Sequence, residues 1–320
     1  MIKWLLRIAV FSSTITIAAL VVIYYGFQAS LPDIEGDINL TGITSSVSID
    51  RDQQGGATIS GQNRDDLAFA TGYVHAQERF FQMDLSRRMA AGELSELFGA
   101  LAVDTDKNNR LHQFRHRASI ALEHVSDDDK KVLSKYVEGV NIGLERLKSK
   151  PFEYWLLGAQ PQPWTQEDTF LVIYSMFFTL QSSDGGFEWQ NHVLRKSLSP
   201  ELAAFLLPDR TEWDAPMQED EASYIKAEIP TAPSDGSKAV AFDRDNSPMI
   251  GSNNWAVSGQ LTETGAAMLS NDMHLAIRAP SIWYKVRLKL EDNSLDITGV
   301  SLAGAPPVVV GSNGSVAWGF

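Results

Sequence analysis

The stretch "GSNNWAVSG", residues 251–259, divides the chain into two kinds of sequence. Downstream of it, short apolar runs alternate with polar residues: "NWAVSG", "AAMLSND", "YKVRLKL", "LDITGVSL" and "PPVVVGSNGSVAWGF". These read as β-strands, and Asn313-Gly314 between the last two runs is a hairpin signal. Immediately upstream, "IPTAPSDGSKAV" is rich in Pro, Ser, Gly and Ala and reads as an exposed connector. Further back, helical periodicity takes over. A serine behind a glycine, ahead of two asparagines and a tryptophan, thus stands where a helical part gives way to an antiparallel β part. No internal repeat accompanies the change.

Within the first part, "SVSIDRDQQGGATIS" alternates like a strand pair around a glycine turn. "NRDDLAFATGYVHAQERFFQMDLSRR" places Leu67, Ala70, Val74, Phe81 and Leu85 on one helical face, with Asp65 as the expected cap. A second helix fits Asp127 to Lys148, its stripe formed by Leu133, Tyr136, Val137, Val140, Leu144 and Leu147. "PWTQEDTFLVIYSMFF" opens with a capping box, Thr165 to Asp168. "SPELAAFLLP" has Ser199 as cap, Pro200 in the first turn and Pro208 as the stop.

The chain's 320 residues are enough for a large core and two domains. A net charge of −13 without Lys/Arg runs argues against a nucleic-acid partner. There is no cysteine, which excludes disulfides, thiolate nucleophiles and Cys-type zinc sites. His112 and His116 are four apart but lack a third ligand, and read as a solvated helix face. From Ile8 to Phe27 no residue is charged, Lys3 and Arg7 precede the run, and Asp33, Glu35 and Asp37 follow it. Twenty such residues match a bilayer span, and the charge asymmetry keeps the N-terminus inside and exports the body. Residues 8–27 are therefore expected to anchor a periplasmic, extracytoplasmic body to the inner membrane.

The blocks then combine into a resemblance. "GYVHAQERFFQMDLSRRMAAGELSELFG", preceded by "RDQQGGATI" and followed by "GSNNWAVSG", "LSNDMHL", "APSIWY" and "ITGVSLAGAPPVVVGSNGSVAWG", resembles the penicillin acylase family of N-terminal-nucleophile (Ntn) hydrolases from about residue 45 onward. The resemblance implies an α+β fold: a four-layer αββα sandwich with antiparallel strands, expected to be incomplete within these 320 residues, joined to a mostly helical α-chain domain. It divides the chain into residues 1–30 (anchor or signal segment), 31–225 (α-chain-like), 226–251 (linker or spacer) and 252–320 (start of a β chain).

It also implies a chemistry. The precursor cuts itself between Gly251 and Ser252, giving an α/β heterodimer whose β chain begins with the nucleophile Ser252. A serine hydroxyl needs a base, and the α-amine freed by cleavage, with an ordinary pKa near 7.7–8.0, serves as one. Glycine on the other side of the bond leaves its carbonyl open to attack. By the same resemblance His274 orients the amine and hydroxyl, a satisfied histidine at a strand end being the other reading, and Asn253 supports the site. A capping role for Asn253 and its neighbour Asn254 stands beside that one. Trp255 reads as core. Leu275 and Val310 fall where the family lines its acyl pocket, ordinary core being the other reading.

Glu188 falls where the family has a carboxylate on a structural Ca²⁺; a solvated surface acid is the plainer alternative, since Ca²⁺ takes six to eight oxygens. No cofactor is expected for catalysis. The oxyanion donors and the other Ca²⁺ ligands are expected beyond Phe320, so the 320-residue chain is expected to be the front part of a precursor, inactive alone. The activity implied is hydrolysis of a small-molecule N-acyl amide, a β-lactam antibiotic such as penicillin or an acyl-homoserine lactone. The competing reading is a truncated, non-catalytic, membrane-tethered module.

Overall fold

The computed structural model of the chain describes residues 2–180, 185–208, 229 and 252–320. It divides into two compact units, Met1–Thr179 with Ile250–Phe320, and Leu180–Met249. The connector expected at 226–251 lies outside the described residues apart from Ile229, as does Gly251.

The larger unit begins with helix α1 (Ile2–Ala29), exposed along its length and long and apolar enough to cross a bilayer. A hairpin follows, β1 (Ser48–Arg51) and β2 (Ala57–Gly61). Its turn is closed by Gly55 N–H donating to Asp52 O at 2.9 Å, with Gly55 at φ +82°. Next comes α2 (Arg64–Ala91). Its cap is Asn63, whose side chain accepts from Asp66 N–H, not the expected Asp65. Asp66 is turned inward, accepting from Thr44 N–H, Thr44 Oγ1 and Ser45 N–H at 2.8–2.9 Å. That leaves the residue before the helix to cap it.

Helix α2 is also not the one-faced helix its apolar stripe suggests. One side, with Leu67, Ala70, Tyr73 and Val74, packs on Ala57, Ile59, Tyr284, Val286 and Leu290 of the sheet. Another, with Ala68, Ala76, Phe80 and Met83, packs among Tyr136, Val140, Tyr154, Trp164 and Val172. It is a central helix, and Asp84, Arg87 and Arg88 near its C-terminal end are buried together. Asp84 accepts from Arg87 Nε, Arg88 Nε and Tyr154 Oη at 2.5–2.9 Å. Arg87 and Arg88 continue outward to Asp168 and Glu96, each at 2.6 Å. The adjacent arginines are thus a structural clamp across four elements.

Short helices α3 (Ser95–Phe98), α4 (Val103–Arg110) and α5 (Phe114–Glu123) lead to α6 (Asp127–Glu145), capped by Ser126 accepting from Asp129 N–H. Helix α6 lies against α2 at very close range, because glycines on each helix face the backbone of the other. A Cβ on Gly139 would sit 1.9 Å from Phe69 O, and one on Gly72 would sit 2.1 Å from Tyr136 O. Then come α7 (Phe152–Leu156) and α8 (Gln166–Leu180). The expected Thr165–Asp168 pairing is present, Thr165 N–H donating to Asp168 Oδ2 at 2.8 Å. His112 is not on a helix face; it stacks on Phe114 beside Phe177 and Phe178, while His116 is exposed.

The second unit, by itself, shows α9 (Gly186–Ser197) and α10 (Pro200–Leu206). Ser199 caps α10 with Pro200 in its first turn.

From Ser252 the chain is β: β3 (Ser252–Val257), β4 (Met268–Met273), β5 (Trp283–Leu290), β6 (Asp296–Leu302), β7 (Val308–Ser312) and β8 (Ala317–Trp318). Among the described residues β3 and β4 pair only with each other. The other strands form a six-stranded sheet, ordered β1-β2-β5-β6-β7-β8. Its β2–β5 pair is parallel, Ala57 opposite Val286, where an all-antiparallel sheet was expected. A parallel neighbour is possible because helices and the β3–β4 hairpin intervene between the two strands. The described strands therefore build a mixed sheet under α2 and a separate hairpin, short of a four-layer sandwich.

Where α2, α6 and the sheet meet, His75 is fully buried. Gly304 N–H donates to Tyr136 Oη at 3.1 Å, which stands 2.8 Å from His75 Nδ1. His75 Nε2 stands 3.1 Å from Ser301 Oγ, which donates to Tyr284 O at 3.4 Å. These directions suit a neutral ring with its proton on Nε2. Burial, with the Arg79 charge nearby, lowers its pKa to about 3.

Candidate active site

The β3–β4 hairpin carries the candidate residues. Its far end is closed by the short turn Gly259–Leu261, capped by Ser258, and by Thr262 Oγ1 donating to Ala266 O at 2.8 Å. Its near end holds Ser252, the first residue of β3, opposite Met273. Ser252 is exposed, and among the described residues its hydroxyl has no hydrogen-bond partner.

Strand alternation sorts the neighbours. Ser252 shares a face with Asn254, which pairs with Asn271. Asn253 falls on the opposite face, across from Asp272. His274 follows the end of β4; its Nε2 is 2.9 Å from Asp272 Oδ2 and its side chain is 44% exposed. The structure thus brings Ser252, Asn253 and His274 to one end of one hairpin. His274 bonds to Asp272 rather than to Ser252. Leu275 comes next, half-buried, its N–H donating to Met273 O at 2.8 Å. Val310 is half-buried in β7, opposite Val300. Trp255, expected in the core, is 52% exposed, because a two-stranded ribbon leaves its faces open.

Two residues that sequence reasoning passed over belong to this end of the hairpin. Asp272 holds His274. Asn271, on the Ser252 face, accepts from Phe320 N–H at 2.6 Å and so ties the hairpin to the segment after β8. Its Nδ2 is buried without a partner among the described residues. Both lie inside "LSNDMHL"; their signal was a run of polar residues on a strand ending beside a histidine.

Glu188 lies on α9 in the second unit and is exposed. Among the described residues no group of three or more His, Asp or Glu is placed to hold a metal. The donors that are described do not amount to a Ca²⁺ site. Gly251, the other half of the expected cleavage site, lies outside the described residues.

Comparison with known proteins gives a coherent picture. A family model described as penicillin amidase matches residues 46–320. The acyl-homoserine lactone acylase QuiP of Pseudomonas aeruginosa is 32% identical over 303 residues, covering 92% of this chain and 35% of that protein. The penicillin acylase 2 proenzyme of Pseudomonas sp. (strain SE83) is 30% identical, covering 87% and 36%. This chain spans about a third of the length of these curated relatives. Among solved structures, a thermostable penicillin G acylase from Alcaligenes faecalis in a tetragonal form is 22% identical, with a TM-score of 0.43 over 59% of this chain and 100% of that one.

Proposed function

The chain belongs to the penicillin amidase family, and from that premise we propose that it is an exported, self-processing hydrolase of small N-acyl amides with Ser252 as nucleophile. The observation that supports this most is the family match running through Ser252, an exposed residue at the start of a strand whose hydroxyl is unengaged among the described residues. In this reading Ser252 Oγ attacks the Gly251 carbonyl, and the peptide bond becomes an ester. That shift frees the Ser252 α-amine, and water then hydrolyses the ester to the Gly251 carboxylate and the Ser252 hydroxyl. The freed amine takes the proton from Oγ as the oxygen attacks the substrate's acyl carbon, and it returns that proton to the departing amine; water then hydrolyses the acyl ester left on Oγ, releasing the acid and restoring the hydroxyl.

His274, fixed through Asp272, is the positioning residue at this end of the hairpin, and Asn253 lies across from that pair. Leu275 and Val310 are the proposed acyl contacts, and Glu188 contributes one carboxylate to a structural Ca²⁺. Relatives named for acyl-homoserine lactones and for penicillin match at nearly equal identity, 32% and 30%, so the substrate class proposed is the acyl amide common to both. Helix α1 is the proposed membrane anchor, holding the body on the outer side.

The test is to express the complete reading frame and read the chain termini by mass spectrometry. Two chains are expected, the second beginning Ser-Asn-Asn-Trp, with release of fatty acid from an acyl-homoserine lactone or of side-chain acid from a penicillin. Ser252→Ala should give one uncut, inactive chain. A working enzyme with residues 251 and 252 still joined would overturn the proposal.

A further inference from the structure

Helix α7 carries its apolar side outward. Tyr154 is fully buried, while Phe152, Trp155 and Leu156 on the other side are 37%, 39% and 75% exposed. A water-facing helical turn ordinarily shows charge there. The single acid on it, Glu153, is half-buried and pushed toward its neutral form by burial.

This patch is not isolated. The end of α1 lies on it: a Cβ on Gly26 would sit 2.1 Å from the Trp155 ring, and the rings of Phe27 and Phe152 meet edge-on at 5.1 Å. Depth follows from helix geometry. From Ile8 to Phe27 the helix holds no charged or amide side chain, and Gln28 follows; at 1.5 Å per residue these twenty residues span about 30 Å, the thickness of the hydrocarbon layer. Phe27 therefore marks the far boundary, and whatever touches Gly26 and Phe27 lies at that depth too. Tyr24 and Tyr25, a T-shaped pair in the same turn of α1, are suited to the headgroup region. Leu31 and Ile34, 55% and 59% exposed, extend the apolar surface past the helix end. Lys148 and Lys150 precede α7 on the chain; Lys148 pairs with Asp33 at 2.8 Å, just beyond α1.

We infer that α7 is a second membrane contact, with Phe152, Trp155 and Leu156 set into the outer surface of the bilayer that α1 spans. The occupant of the patch is lipid. The body is then held flat on the membrane at two points rather than swinging on a tether. The inference rests on the anchoring role proposed for α1.

The chain has no cysteine, so one introduced cysteine carries one spin label. Leu156→Cys, Ile15→Cys and Leu101→Cys are to be labelled in the full chain, reconstituted in nanodiscs of phosphatidylethanolamine and phosphatidylglycerol. Leu101 is an aqueous reference, 93% exposed beyond the C-terminal end of α2. Collision rates are read with oxygen, which concentrates in lipid, and with a nickel chelate, which stays in water. The oxygen-to-nickel ratio at Leu156→Cys is expected to exceed that at Leu101→Cys by roughly tenfold, as for a side chain below the headgroups. Equal ratios at these two positions, with Ile15→Cys in lipid, would overturn the α7 contact and leave the anchor standing. A Leu156→Cys label shielded from both probes would mean that protein covers the patch, and would overturn it as well. An Ile15→Cys label in water would remove the anchor and this inference together.

Discussion

At the residue scale, His75 and Asp272 show how much a side chain's role depends on its partners. Neutral His75 links α2, α6 and the sheet through Tyr136 and Ser301. Its pKa is about 3 when folded, against about 6.5 when the chain is unfolded. Between those values the unfolded chain binds the extra proton, so stability falls as pH drops from about 6.5 toward 3. A loss on the order of a few kcal/mol is expected over that window, and His75→Phe should flatten it; denaturant midpoints against pH check both. For the positioning role, Asp272→Asn keeps the shape but weakens the hold on His274. Cleavage at Ser252 should persist while kcat falls roughly tenfold with KM little changed, measured on the processed enzyme. Neither role was legible in the sequence: His75 sits in an apolar helix as any satisfied histidine does, and Asp272 reads as strand-end polarity until its partner is placed.

At the element scale, the α2–α6 crossing depends on missing side chains. With Phe69 O where a Gly139 Cβ would be, Gly139→Ala must push the helices apart. A loss of about 3 kcal/mol is expected from overpacking, seen as a lower denaturant midpoint with an unchanged slope. The glycines gave no helix signal of their own, and the stripes of α2 and α6 were read from the apolar residues around them. Those stripes were legible because 3.6-residue periodicity and caps are local. Strands were legible for the same reason: all six runs from β3 to β8 begin near an alternating or apolar segment. The burial of α2 on more than one side was not, since nothing local says how many neighbours a helix will have.

At the scale of the whole molecule, the two sides of the Gly251–Ser252 bond share one core. β2, from before it, pairs with β5, from after it, and α2 packs on both. Cleavage there should therefore leave the pieces bound together. Native mass spectrometry is expected to show one noncovalent complex that separates only on denaturation. The parallel pairing itself was beyond sequence reading, because register between distant segments leaves no local pattern. The change from helical to strand pattern supplied the seam and the resemblance the proposed nucleophile, while the order of strands came only from the structure. That order also bears on how the protein is made. Ala57 waits for Val286, more than two hundred residues later. At ordinary ribosome speeds this is a delay of roughly 10–50 s, during which one side of an early hairpin lies bare. So distant a partner predicts slow assembly and reliance on chaperones while synthesis runs.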